Sequence, residues 1–400
     1  MRKTILLMAL VAIPGMLCAQ KKEMSQAKAY LKSGKDFDKA EKLMTDLLKQ
    51  GGENLANEKI YDLWYKAVMG QYAQANEKIY LKQKFDTAAM YNMLQRMYII
   101  AETLDSLDAK PDDKGKVKMD YRQDNAEQLN RLRRNLYYGG TYNMRRNNYK
   151  TSFSFFDTYI DAARQPLFAS FDYLSTDTMM PRAAYWATVC GHRLKEPAMT
   201  LKYCQMALRN QSTAQYTLQY MCEAYRQQND EQHYEQTLRE GFGRFPDYPY
   251  FFPRLADLYN SRMQSDSTLV LADRALRQFP DKPLFLLAKS VALLHLNRND
   301  ECIDVSQRLI TKDAKLPEPY FNIATIYLNE ALELEKKNEP RLYHDQLQDL
   351  YKKARPYMES YRMLAPGEKM RWAPALYRIY LNLNLGAQFD EIDRLLKTAH

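Results

Sequence analysis

Glycine is scarce in this chain, 13 of 400 residues, and tryptophan scarcer still at three. No C-x-x-C occurs among the five cysteines, which removes a zinc ribbon and a thioredoxin-like site from consideration. G-x-S-x-G, H-E-x-x-H and phosphate-cradling glycine loops are also missing, and Gly241-Phe-Gly243 reads better as the end of a helix. The five histidines, His192, His233, His295, His344 and His400, share no metal-ligand spacing. Beyond the first 19 residues no apolar run is long enough to cross a bilayer. These absences leave no catalytic constellation, so the expectation is a chain that is not an enzyme and takes neither metal nor cofactor.

What is present is helical in character. Apolar residues make up 46% and charged residues 27%, and the unusually frequent tyrosine (31) and methionine (20) suit uneven helix–helix interfaces. The formal charge is +9. A basic run, Arg131, Arg133, Arg134, Arg145, Arg146 and Lys150, alternates with apolar positions as a solvated helix face does. It is therefore not read as a nucleic-acid site.

The N-terminus carries the marks of export. Arg2 and Lys3 precede an apolar run from Ile5 to Ile13, Pro14 and Gly15 break it, and Leu17-Cys18-Ala19 offers a cleavage site before Gln20. A lipoprotein signal would want a small residue before Cys18, where Leu17 stands, so a soluble, periplasmic product without a transmembrane span is the expectation. Cleavage leaves Cys190, Cys204, Cys222 and Cys302. They fall in apolar slots and are read as free buried thiols, while a disulfide through Cys204 or Cys222 stays open.

The strongest pattern is an interval of 34 residues. Tyr225, Tyr259, Leu293 and Tyr327 follow one another at that spacing, each three residues after a small side chain: Cys222, Ala256, Ser290 and Ala324. Pro246 and Pro280 stand 21 residues after the first two, where a residue without a backbone N–H stops a helix. A small residue lets two helices approach, a large one a turn away fills the remaining gap, and only stacked pairs bury their apolar stripes. This combination resembles the tetratricopeptide (TPR) repeat, in the manner of exported, Bacteroidetes-like members of that family. The resemblance implies an all-α, right-handed superhelical solenoid of helix–turn–helix repeats, irregular at its N-terminal end.

Along the chain, residues 1–19 are the signal peptide, 20–110 a degenerate repeat region and 111–125 a charged loop with Pro111 and Gly115. Residues 126–180 add a repeat and a connector, and 181–316 form the regular array. Residues 317–366 form a repeat whose second helix arrives about 18 residues late, so both helices of that hairpin should be long, with a kink at Pro356. A capping pair occupies 367–400.

Family geometry places the first helix of each repeat on a concave groove. Carried across, the groove residues are Tyr185, Val189, His192, Gln219, Glu223, Asp257, Leu287, Val291, Phe321 and Thr325. The Lys and Asn pattern by which some family members hold a terminal carboxylate is absent. The resemblance then implies a scaffold or adaptor that binds a protein or peptide partner in the bacterial envelope. A glycan- or polymer-binding envelope protein using Tyr250, Phe251 and Phe252 is the alternative, and an enzyme with an unrecognised site is a third reading. Oligomeric state is not legible.

Overall fold

The computed structural model describes residues 20–112, 114–337 and 342–397. The signal segment with Cys18, and His400, lie outside the described residues. Among those described there is no strand, and the fold is an all-α array of helix–turn–helix pairs.

The chain forms two compact units, residues 1–237 and 238–400. The first opens with α1 (20–33) and α2 (Phe37–Gln50), followed by α3 (Glu58–Tyr80), α4 (Thr87–Asp108), α5 (Arg122–Met144) and α6 (Tyr149–Asp161). A connector that includes the single turn α7 (Tyr173–Thr176) leads to α8 (Met180–Leu194), α9 (Pro197–Leu201), α10 (Cys204–Ala207) and α11 (Ala214–Gln227). The unit boundary falls inside α12 (Glu231–Arg244). The second unit continues with α13 (Phe251–Ser261), α14 (Ser265–Gln278), α15 (Pro283–His295) and α16 (Asn299–Lys312). It ends with α17 (Glu318–Glu335), α18 (His344–Leu364), α19 (Lys369–Asn382) and α20 (Gly386–Lys397). Neighbours in sequence pack on one another, as α2 on α3, α5 on α6 and α6 on α8 in the first unit, or α15 on α16 and α17 on α18 in the second.

The 34-residue interval is written into the backbone as well as into the side chains. Lys195, Asn229, Met263 and Asn297 all adopt positive φ, between 54° and 58°, within two residues of the ends of α8, α11, α13 and α15. The next residue in each case donates its N–H five residues back, to Gly191, Tyr225, Tyr259 and Leu293. The left-handed residue itself donates to the carbonyl three back. Together these bonds satisfy helix-end carbonyls that would otherwise lack partners.

The small side chains behave as packing determinants. Cys222, Ser290 and Ala324 are fully buried, and Ala256 nearly so. Gly241 does not terminate its helix, contrary to the sequence expectation. It lies within α12 and is buried, and a Cβ there would stand 2.3 Å from the Phe251 ring. Glycine is needed at that point for close approach rather than for a stop. The long hairpin is present: α17 has 18 residues and α18 has 21, and the helix runs through Pro356 unbroken.

One expectation about charge needs correction. Arg133 is not part of a solvated face, being only 5% exposed. Asp105 and Asp108, in the last turn of α4 ahead of the charged loop, are buried as well. Arg122 grips both oxygens of Asp105 at 2.6 and 2.8 Å, and the Tyr121 N–H donates to Asp108 at 2.9 Å. These contacts start α5 at Arg122 and close the base of the loop.

Candidate partner-binding surfaces

In the first unit, α8 and α11 bring four of the anticipated groove residues into one cluster. The His192 ring stacks on Tyr220 with centroids 4.4 Å apart, and its Nδ1 lies 3.5 Å from a Glu223 carboxylate oxygen. Gln219 Nε2 donates to the other Glu223 oxygen at 3.0 Å, one helical turn along α11. Tyr185 bonds to the Tyr220 hydroxyl and packs on Trp186, ring centroids 5.2 Å apart. Tyr185, His192, Gln219 and Glu223 are all partly exposed. Val189 belongs elsewhere: at 7% exposure it is a core residue and offers no surface. Burial lowers the His192 pKa below the ordinary histidine value; Glu223 opposes this and Arg193 adds to it. The imidazole is therefore neutral at neutral pH, and the cluster presents aromatic faces, an amide and a carboxylate without a paired cation.

The second unit holds the remaining five separately. Asp257 is exposed on α13. Leu287 and Val291 are half-buried on α15, and Leu287 packs on the core of Leu286, Leu293 and Leu309. Phe321 is partly covered, its ring 5.0 Å from buried Tyr361 and 3.9 Å from the Arg371 guanidinium. The Thr325 hydroxyl is spent on its own helix, donating to the Phe321 carbonyl at 2.7 Å. Phe321 and Thr325 thus serve local packing more than a free surface. The same unit contains a cleft of about 350 Å³ between α12, α13 and α14. Its floor includes Phe242, Leu255 and the 66% exposed Val270, and Arg239, Arg274 and Asp266 give it a rim of mixed charge.

The aromatic trio proposed for sugar stacking is not available for it. Tyr250, Phe251 and Phe252 are buried, with Phe252 packed edge-on against Phe285 at 4.5 Å. The four described cysteines are buried and in no disulfide. Desolvation pushes the Cys190 thiol up to about 11 and Cys204 up to about 12, so neither is a nucleophile at neutral pH. Among the described residues no group of His, Cys, Asp and Glu is arranged to hold a metal, and no helix is long and apolar enough to cross a membrane. Sequence reasoning did not single out Tyr220 and Trp186. They stand one residue after the anticipated groove positions Gln219 and Tyr185, and the outward turn of the helix carries them into the same cluster.

No family model matches this chain, and no curated protein does. Solved structures of similar fold exist. The C-terminal part of a TPR repeat-containing protein from Cytophaga hutchinsonii is 11% identical, with a TM-score of 0.41, covering 64% of this chain and 92% of its own. A TPR repeats protein from Bacteroides fragilis is 14% identical, with a TM-score of 0.30 and coverages of 66% and 98%. YrrB, described as a TPR protein with an unusual peptide-binding site, is 13% identical, with a TM-score of 0.35 and coverages of 51% and 94%.

Proposed function

We propose that the chain is a non-catalytic scaffold, exported to the bacterial envelope, that binds a protein partner on the first unit. One observation carries the reading. Consecutive first helices, α8 and α11, present Tyr185, His192, Gln219, Tyr220 and Glu223 as a single half-exposed cluster whose members already hold one another in place. A surface ordered in advance binds a peptide segment with little ordering cost of its own, and aromatic groups at its centre dominate affinity. The export half of the proposal is supported by Arg2, Lys3 and the apolar run to Ile13.

The test uses the exported chain as bait in envelope extract, beside Tyr185→Ala and Gln219→Ala. A partner captured in stoichiometric amount by the wild type and lost with both variants supports the scaffold. Capture that ignores both substitutions, or no stoichiometric protein at all, overturns it. Mass spectrometry of the exported chain should show a start at Gln20 without acyl groups. A diacylglyceryl adduct on Cys18 would overturn the soluble assignment.

A further inference from the structure

Beside the α8–α11 cluster the first unit contains a second concavity of about 510 Å³. Its walls are the start of α8 and the turn 209–213 that precedes α11. Charge is its distinguishing property. The only ionisable side chains on its walls apart from Tyr185 are Arg182 and Arg209, and no carboxylate lines it. Both arginines are exposed, and among the described residues neither guanidinium has an ion pair or hydrogen bond. Arginines elsewhere in the protein have company: Arg122 holds Asp105, Arg133 holds Asp177 and Arg378 holds Glu335. Two unneutralised cations facing one concavity repel each other, and an anion between them removes that cost.

The rest of the wall fits the same occupant. Trp186 and Tyr185 give an aromatic side on which the aliphatic stem of a Glu, or the plane of a peptide bond, can lie. On the opposite wall the Ser212 hydroxyl donates to Asn210 Oδ1 at 2.8 Å. That bond sets the amide orientation and leaves both hydrogens of Asn210 Nδ2 as donors. Guanidinium forks and an amide NH2 are the donor set that planar carboxylates accept from.

We propose that this cleft binds a carboxylate-rich peptide segment, with Arg182 and Arg209 pairing adjacent Asp or Glu side chains of the partner. The proposal rests on the scaffold reading and extends it: Tyr185 lines both the cleft and the α8–α11 cluster, so a single extended segment would run from one into the other.

The probe is a fluorescein-labelled hepta-glutamate peptide, followed by anisotropy on the full chain, with hepta-lysine, heparin and inorganic phosphate as comparisons. Hepta-glutamate should bind and hepta-lysine should not. Arg182→Gln and Arg209→Gln should each weaken binding by about tenfold, and their helical signal should match the wild type because both side chains are exposed. Arg131→Gln, an exposed arginine elsewhere in the unit, should leave binding unchanged. Equal affinity in all three variants overturns the proposal. So does binding of heparin or phosphate through these arginines with no binding of hepta-glutamate, which would make the cleft a polymer or phosphate site. The two readings separate in the envelope experiment. If the captured partner is lost with Gln219→Ala yet retained by both arginine variants, the scaffold stands and this proposal falls. If hepta-glutamate binds through the arginines while no envelope protein depends on Tyr185 or Gln219, the cleft stands and the α8–α11 scaffold falls.

Discussion

Arg133 of α5 pairs with Asp177, 44 positions later, from a slot between two tyrosine rings. The guanidinium carbon lies 3.9 Å from the ring centroids of both Tyr159 and Tyr173, and a second nitrogen donates to the Tyr159 carbonyl at 2.9 Å. Asp177 also accepts from the Tyr159 hydroxyl at 2.6 Å and from the Met179 N–H at 2.8 Å. Several donors converge on its carboxylate and hold its pKa below the usual range, although burial works in the opposite direction. The pair ties the irregular connector of residues 162–179 back onto α5, just before α8 begins.

Removing one partner of a buried ion pair strands the other, which costs more than the pair itself contributes. Arg133→Ala should lower the stability of the chain by about 3–5 kcal/mol in urea titrations followed by circular dichroism. Arg131→Ala and Arg134→Ala, whose side chains are exposed, should each change it by less than about 0.5 kcal/mol. Equal effects at all three positions would return Arg133 to the solvated face that the sequence suggested.

Glu102 on α4 gives a pH dependence of defined sign. Burial pushes its carboxyl up to about 7, with Asp161 and Asp105 adding to the rise. A carboxyl whose folded pKa lies above its unfolded value contributes stability that is present below the unfolded pKa, near 4.5, and is lost as pH rises through 7. Glu102→Gln removes that loss. The variant should match the wild type at pH 4.5 and exceed it by about 2–3 kcal/mol at pH 8. A stability difference that does not change between those two pH values would remove Glu102 from the account.

Ala324 is fully buried where α17 meets its neighbours, and Ala256 is 6% exposed on α13. Ala324→Leu should overpack its helix pair and cost about 1–3 kcal/mol, with the midpoint of the denaturant transition moving and its slope unchanged. Ala256→Leu should act in the same direction. Neutral melting for both would dissolve the 34-residue register.

How much could be read in advance divides along a physical line. Periodic features were legible, because stacking imposes the same steric demand at every repeat: Cys222, Ala256, Ser290 and Ala324 are buried as their spacing required. The lateness of α18 was legible too, as a simple offset in that ruler. Features made by contacts distant in sequence were not. Nothing near Arg133 announces that Asp177 and two tyrosine rings will enclose it, so it read as one more charge in a basic run. Phe321 sat at a groove position by register, yet Arg371 from α19, fifty residues on, lies over its ring. The α8–α11 cluster was half visible: register supplied Tyr185, His192, Gln219 and Glu223, but the stacking of His192 on Tyr220 depends on how two helices sit together.

The left-handed residues that follow the first helices show the same ruler where the sequence hides it. Lys195, Asn229, Met263 and Asn297 share a backbone conformation although a lysine, a methionine and two asparagines adopt it. The fold requires positive φ there, because the chain must reverse within a few residues while two backbone N–H groups cap the preceding helix. Asn enters that region readily, whereas Met and Lys bear the clash between Cβ and the carbonyl oxygen. Met263 offers nothing in return, since its side chain is 93% exposed. Glycine relieves the clash at the cost of a freer unfolded chain. Met263→Gly should therefore stabilise the protein by about 0.5–1 kcal/mol, and Lys195→Gly by a similar amount. Asn229→Gly and Asn297→Gly should gain less, because less strain is there to remove. Thermal melts of the four single variants check the ordering. Destabilisation by Met263→Gly, or an equal gain at all four sites, would mean that the left-handed turn carries no strain that depends on the side chain.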